Sequence, residues 1–313
     1  MPHIVYRLLE MRFLDILFFI IFAVSSAWAQ ETIQIWGDNP ASRKMNRSQM
    51  IVFKAPENPS GISVIICPGG SYRYLDRKNE GTEVAQWLND NNITAFVLFY
   101  RQGLRGNRHP AMIQDLQRAM QLVKQNSQTY GINPDKVGVM GFSAGGHLAG
   151  TAGTYFDTNF SEESNPNSLT PPNSLTPPNS LTPPSNSLTP AFLTMIYPVV
   201  SMFNEEIVHK KSRRNLLTRK FSSELARKMS LEYNVRPDMP PVFLVHCTGD
   251  KVVDYRNAVN YAAALTEKGV PHVFKLYDEP GHGFGINPQK GQGAGQAPLW
   301  TQYFIPWLEG LDF

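Results

Sequence analysis

The stretch KVGVMGFSAGGH, Lys136 to His147, decides the fold. Its first half is a short β-branched apolar run, and its second half is rich in small helix-compatible residues. Between them stands Gly141-Phe142-Ser143-Ala144-Gly145, a G-x-S-x-G pattern at a strand-to-helix turn, which is the arrangement of a nucleophile elbow. The glycines have a physical reason: the serine of such an elbow sits on a strained turn, and flanking side chains would strike the strand and helix backbones. The serine hydroxyl is thereby presented at a helix N-terminus.

Outward from the elbow, apolar runs alternate with helical patterns. Strands are predicted at Ile62 to Cys67, Thr94 to Tyr100, Lys136 to Met140, Phe192 to Tyr197, Pro241 to His246 and His272 to Leu276. Each reads as a continuous apolar run, the mark of a parallel strand buried on both faces. Helices are predicted at Glu80 to Asn91, at His109 to Gln128 with Pro110 near its first position, at Asp254 to Lys268 with Gly269 as the stop, and at Ala297 to Leu311. Residues 31–60 are expected to add one or two antiparallel edge strands, among them Met50 to Phe53. The alternation predicts an α/β fold, a mostly parallel central sheet with helices on both faces.

Two further motifs stand in the order acid, then histidine, after the serine. Asp250 follows the strand Pro241 to His246 in HCTGDKVV, and His282 follows the last strand in GHGFG. Serine is a weak nucleophile until a base takes its proton, and the imidazole needs a carboxylate to fix its tautomer and stabilise its cation. Asp254 competes for the acid's role but reads as the N-cap of the next helix. His246 reads as a satisfied core histidine, His147 packs in the first turn after the elbow, and His209 has no partner visible in sequence. Backbone donors for an oxyanion are expected from Gly70 and Ser71, in PGGSY directly after the strand Ile62 to Cys67, and from Ala144 after the nucleophile. An ordinary glycine-rich turn is the plain alternative for that loop. Tyr72 is nominated as a substrate contact.

The chain has 313 residues, 42% hydrophobic and 11% aromatic, enough for one large core. Its net charge of +3 is spread without a basic run, which gives no case for nucleic acid. No C-x-x-C, H-E-x-x-H or phosphate-cradling loop occurs, so no metal, nucleotide or other cofactor is implied.

At the N-terminus, Arg12, the apolar run Leu14 to Val24 and Ala27-Trp28-Ala29 read as a signal peptide over residues 1–29, cut after Ala29. Met11 is an alternative start. The apolar run is about 11 residues where a bilayer span needs roughly 20, so no stable membrane insertion is expected and the domain of residues 30–313 would be secreted or periplasmic. The two cysteines, Cys67 and Cys247, end strands that the expected sheet separates by two others, about 14 Å at 4.8 Å per strand. A disulfide needs Cα atoms within about 7 Å, so free thiols are predicted. NSLTPP recurs in tandem from Asn167 to Pro184, with a truncated copy at Asn186 to Pro190. Its prolines forbid helix and central strand, and a disordered insertion is expected over about 161–190.

The segments ICPGGSYRYL, VLFYR, DKVGVMGFSAGGHLA, MIYPVVSM, HKKSRRNLL, PPVFLVHCTGD and EPGHGFG together resemble α/β-hydrolase esterases of the acetyl esterase and acetylxylan esterase type, secreted bacterial carbohydrate esterases among them. The resemblance implies Ser143, Asp250 and His282 as the triad and the backbone of Gly70, Ser71 and Ala144 as the oxyanion hole. Ser71 departs from the third glycine usual there. It further implies removal of acetyl groups from an O-acetylated, xylan-like carbohydrate through an acyl-serine. A feruloyl or lipase-type carboxylesterase, an S9-like peptidase, and a carbohydrate-binding protein on an inactive hydrolase fold are the alternatives. An intact triad weighs against the last, and missing propeller repeats against the peptidase. The sequence does not define the oligomeric state.

Overall fold

The computed structural model describes residues 31–37, 48–160, 188–287, 290–291 and 297–313. The leader expected over 1–29 and the repeat, but for its last residues, lie outside the described residues. Among the described residues the strands are β1 (Glu31–Gln34), β2 (Gln49–Phe53), β3 (Ser63–Cys67), β4 (Thr94–Phe99), β5 (Val137–Phe142), β6 (Leu193–Ile196), β7 (Val242–Cys247) and β8 (His272–Tyr277). The α-helices are α1 (Glu83–Asp90), α2 (Ala111–Gln125), α3 (Ser127–Tyr130), α4 (Ala144–Thr154), α5 (Lys210–Leu217), α6 (Ser223–Lys228), α7 (Arg256–Glu267) and α8 (Thr301–Glu309).

The strands form one sheet in the order β1-β2-β4-β3-β5-β6-β7-β8. β2 runs antiparallel to β4, and β4, β3, β5, β6, β7 and β8 are mutually parallel. This is the α/β-hydrolase fold. The side-chain period of two sorts the core: Ile65 and Cys67 of β3 face a cluster with Leu116 of α2, Leu148 of α4 and Tyr261 of α7. Val64 and Ile66 face the opposite cluster, with Leu88 of α1, Trp300 just before α8 and Phe304 within it. Each fully buried side chain of this size is worth about 1.5–3 kcal/mol, so a sheet covered on both faces explains why β3 to β7 carry almost no polar residue.

Several expectations are corrected in detail. β8 is the sheet's edge and only partly buried, so its run is interrupted by the exposed Leu276 and by Lys275, whose ammonium lies over the Tyr303 ring. The helix after Pro110 starts at Ala111 with Pro110 as its cap residue and breaks before α3. The N-cap of α7 is Tyr255; Asp254 sits one residue earlier and accepts the Arg256 N–H at 2.9 Å. The segment read as the start of the helix at Glu80 is a π-helical turn, Lys78–Thr82, leading into α1. α5 and α6 are additions that no periodicity in the sequence suggested.

β5 and β6 lie between β3 and β7, and Cys67 and Cys247 are free. Burial pushes both thiols up, Cys247 to about 12 with Glu279 and Asp250 adding to it, so neither is a ready nucleophile. Because β3, β5, β6, β7 and β8 are parallel, the loops that leave their C-terminal ends emerge on one side. The PGGSY loop, Ser143, Tyr197, Asp250 and His282 all lie on those exits.

Candidate active site

Ser143 follows the last residue of β5 and precedes the first of α4, with φ 52° and ψ −117°. A non-glycine residue there stores of order 1–3 kcal/mol of backbone strain. The surrounding packing enforces it: a methyl group on Gly141 would lie 2.0 Å from the Gly145 carbonyl oxygen, and one on Gly145 would lie 1.9 Å from that of Cys67. The serine is also tied by its backbone, its N–H donating to Ile196 O at 3.0 Å and its carbonyl accepting from Val199 at 3.1 Å. Its hydroxyl makes no capping bond to α4.

That hydroxyl lies 3.0 Å from His282 Nε2, and His282 Nδ1 lies 2.7 Å from Asp250 Oδ2. The structure therefore brings Ser143, His282 and Asp250 into one hydrogen-bonded line, with Asp254 outside it. Nδ1–H donates to the carboxylate, which leaves Nε2 free to accept the serine proton. Asp250 accepts the N–H groups of Val252 (2.7 Å) and Val253 (3.0 Å) on its other oxygen. Burial alone raises its pKa, but the hydrogen bonds from His246 and His282 and their charge outweigh that and hold the carboxyl well below the usual carboxylate range.

His246 corrects the sequence reading. Its Nε2 lies 3.1 Å from Val253 O and 3.2 Å from Asp250 Oδ2, while its buried Nδ1 finds no partner among the described residues. It is a second histidine on the acid, only half satisfied. His209 lies near enough for His282 to lower its pKa: burial comes first, then the His282 and Lys211 charges, bringing it to about 4. Its Nδ1 meets Ser212 Oγ at 2.8 Å. His147 is buried as expected, with Nε2 2.7 Å from Met229 O.

The PGGSY loop is held from several sides. Tyr100 donates to Pro68 O (2.6 Å), Gly69 N–H to Glu80 Oε2 (2.7 Å) and Asn215 Nδ2 to Ser71 O (2.9 Å). Gly70 has φ 133°, and a methyl there would meet Tyr74 O at 2.2 Å. Ser71 and Tyr72 follow with φ 57° and 58°, so the serine at the usual third glycine takes the left-handed backbone at a cost of roughly 1–2 kcal/mol. Among the described residues no acceptor is found for the N–H groups of Gly70, Ser71 or Ala144; the last is the first residue of α4, where the helix supplies none. Tyr72 is corrected: its ring is 1% exposed and its hydroxyl donates to His147 Nδ1 at 2.8 Å, so it does not face a substrate. The exposed ring of this loop is Tyr74, at 53%.

Among the described residues no three His, Cys, Asp or Glu side chains are grouped to hold a metal ion, and no helix is long and apolar enough to cross a membrane. The residues that sequence reasoning missed are Glu80, Asn79 and Tyr197, which brace the two loops flanking Ser143. Their one sequence signal was proximity to PGGSY and to β6.

An acetylxylan esterase of Xylanibacter ruminicola is 30% identical over 244 residues, 77% of this chain and 44% of that protein. Endo-1,4-beta-xylanase B of Butyrivibrio fibrisolvens is 28% identical over 225 residues, 71% of this chain and 32% of that protein. The chain thus spans less than half the length of these two relatives. The solved structure of an acetyl ester-xyloside bifunctional hydrolase from Caldicellulosiruptor lactoaceticus superposes with a TM-score of 0.72 at 27% identity, covering 90% of this chain and 97% of that one. The BD-FAE family matches residues 51–265, well over half the chain, and spans the elbow, the PGGSY loop and Asp250; the chain belongs to the BD-FAE family.

Proposed function

We propose that the chain is a serine esterase that removes acetyl groups from an O-acetylated, xylan-like carbohydrate. The observation that carries it is the line from Ser143 Oγ through His282 to Asp250, at 3.0 and 2.7 Å, beside three N–H groups that have no acceptor among the described residues. Ser143 Oγ attacks the acyl carbonyl while His282 Nε2 takes its proton. The developing oxyanion is met by the N–H groups of Ala144, Gly70 and Ser71, each donor worth about 3 kcal/mol in such a site. His282 returns the proton to the departing sugar hydroxyl, leaving an acetyl-serine. Water, deprotonated by the same imidazole, then releases acetate and restores the serine.

The carbohydrate is supported by the names of the relatives. It is also supported by Tyr74, an exposed aromatic face on the loop that carries Gly70 and Ser71, with the Lys211 ammonium 6.0 Å from its ring centroid. An aromatic face with a polar neighbour suits stacking on a sugar ring. A leader over residues 1–29, as the sequence reads there, would carry the chain to the space where such polysaccharide is met.

The test is acetate release from acetylated xylan, and p-nitrophenol release from its acetate and from longer-chain esters, by the wild type and Ser143→Ala. Acetate release lost in the variant is expected. A preference for long-chain esters with no acetate from xylan would replace the carbohydrate reading by a lipase-type one, and a folded protein that hydrolyses no ester would favour a binding protein.

A further inference from the structure

Two loops have to be correct together for the proposed reaction, the PGGSY loop that supplies oxyanion donors and the Gly281–Gly285 loop that carries His282. Among the described residues no backbone hydrogen bond joins one to the other. A third segment touches both: the π-helical turn Lys78–Thr82. Glu80 on this turn is 4% exposed; its Oε2 accepts the Gly69 N–H at 2.7 Å and its Oε1 accepts the Tyr197 hydroxyl at 2.9 Å. The Tyr197 oxygen in turn accepts the Gly285 N–H at 3.0 Å, and its ring centroid stands 4.7 Å from that of His282. Asn79, the preceding residue, donates to Gly283 O at 2.7 Å. There is no slack: a methyl on Gly69 would sit 2.6 Å from Glu80 Oε2 and 2.9 Å from Ser143 Cβ, and one on Gly285 would sit 2.5 Å from Asn79 O.

We propose that this turn is the positioning element that holds the oxyanion loop and the histidine loop in one register, with Glu80 and Asn79 as its positioning residues. The inference rests on the catalytic reading above for its kinetic consequences but not for its structural ones. Single π-helical turns inside helices recur at functional sites because the extra residue re-aims side chains that a regular helix would direct elsewhere. Here the re-aimed pair is consecutive, Asn79 toward one loop and Glu80 toward the other. The carboxylate suits the role because both its oxygens receive donors, and an ionised carboxylate is acceptor-only. Tyr197 already accepts from Gly285, so its own proton is directed at Glu80. The groups facing Glu80 are Asp76 just before the turn, Tyr197 beyond β6 and Tyr100 just after β4. Burial first, then Asp76, raises the Glu80 pKa to about 7 against the pull of Tyr197 and Gly69. Protonation below that point removes one acceptor and loosens the clamp.

The experiment compares the wild type, Glu80→Gln, Asn79→Ala and Tyr197→Phe by hydrogen–deuterium exchange of peptides covering 68–76 and 281–287, and by kcat and KM for p-nitrophenyl acetate across pH. Glu80→Gln is expected to speed exchange in both peptides by about tenfold, and Asn79→Ala to speed it only in 281–287. Glu80→Gln is expected to lower kcat by about 10- to 100-fold with KM held within about twofold, the cost of misplacing groups by fractions of an ångström. Its acid limb should lose the ionisation near pH 7 that Glu80 contributes in the wild type. Unchanged exchange in both loops of a folded Glu80→Gln, or a kcat within about twofold of wild type, overturns the proposal. If Glu80→Gln does not fold, Tyr197→Phe decides it, since it keeps the carboxylate and breaks the link to Gly285. If the wild type hydrolyses no ester, the esterase reading fails, and the exchange measurements alone uphold or overturn the clamp.

Discussion

Asp250 and Glu80 are both carboxylates buried beside Ser143, and their surroundings drive them in opposite directions. Asp250 receives two N–H groups of the chain and lies against two imidazoles that can carry positive charge. Glu80 receives one N–H and one neutral hydroxyl and has the like charge of Asp76 nearby. Burial raises both; only at Asp250 do the donors outweigh it. The difference teaches that one site can keep one carboxylate permanently charged, to stabilise an imidazolium, and another poised near neutrality, to hold backbone in place.

The comparison breaks most visibly at Asp250. Asp250→Asn should lower kcat for p-nitrophenyl acetate by roughly 10⁴-fold, because the amide favours the wrong tautomer of His282. Steady-state kinetics beside unchanged circular dichroism checks this. Glu80→Gln should cost about 10- to 100-fold and remove a pH dependence of stability. Glu80's folded pKa of about 7 lies above its ordinary value of 4.5, so its contribution is fully present below about pH 4.5 and lost as pH rises through 7. Between pH 4.5 and pH 8 the wild type should therefore lose roughly 2–4 kcal/mol of stability that the variant, with no group to ionise there, does not lose. Thermal melts at the two pH values read it. Asp250 behaves inversely: its folded value is depressed, so its stabilisation is present above the ordinary carboxylate value and lost only in strong acid.

A smaller effect sharpens the same comparison. His246→Leu removes one donor from Asp250 and with it the unpartnered Nδ1. A kcat loss of about tenfold with stability within about 1 kcal/mol is expected, whereas His246→Gln, which keeps a donor, should recover part of the rate. Smallest is Tyr74→Ala, on the loop that Glu80 anchors: KM for acetylated xylan should rise about three- to tenfold, equivalent to about 1 kcal/mol of stacking, with p-nitrophenyl acetate unaffected.

The sheet, the elbow and the positions of Asp250 and His282 were legible because parallel strands deliver consecutive motifs to one side, so chain order alone predicts which residues meet. The bracing was not. Glu80 and Asn79 sit in KNEGTEV, which reads as the solvated start of a helix, and their partners lie far along the chain, Tyr197 at 117 residues and Gly283 at 204. Nothing in local periodicity marks a π-helical turn or a buried carboxylate. Tyr72, nominated as a substrate contact, is instead buried. Its left-handed backbone turns it inward onto His147 and leaves Tyr74 exposed. His246 was read from burial alone, and its contact with Asp250 depends on the turn of the loop between them.

The central claim is that Ser143 carries the acyl group. Rapid-quench mass spectrometry during turnover of p-nitrophenyl acetate should find an acetyl group on the peptide containing Ser143, and none there in Ser143→Ala. Turnover that continues in Ser143→Ala, or acetylation confined to another residue of the wild type, would contradict it.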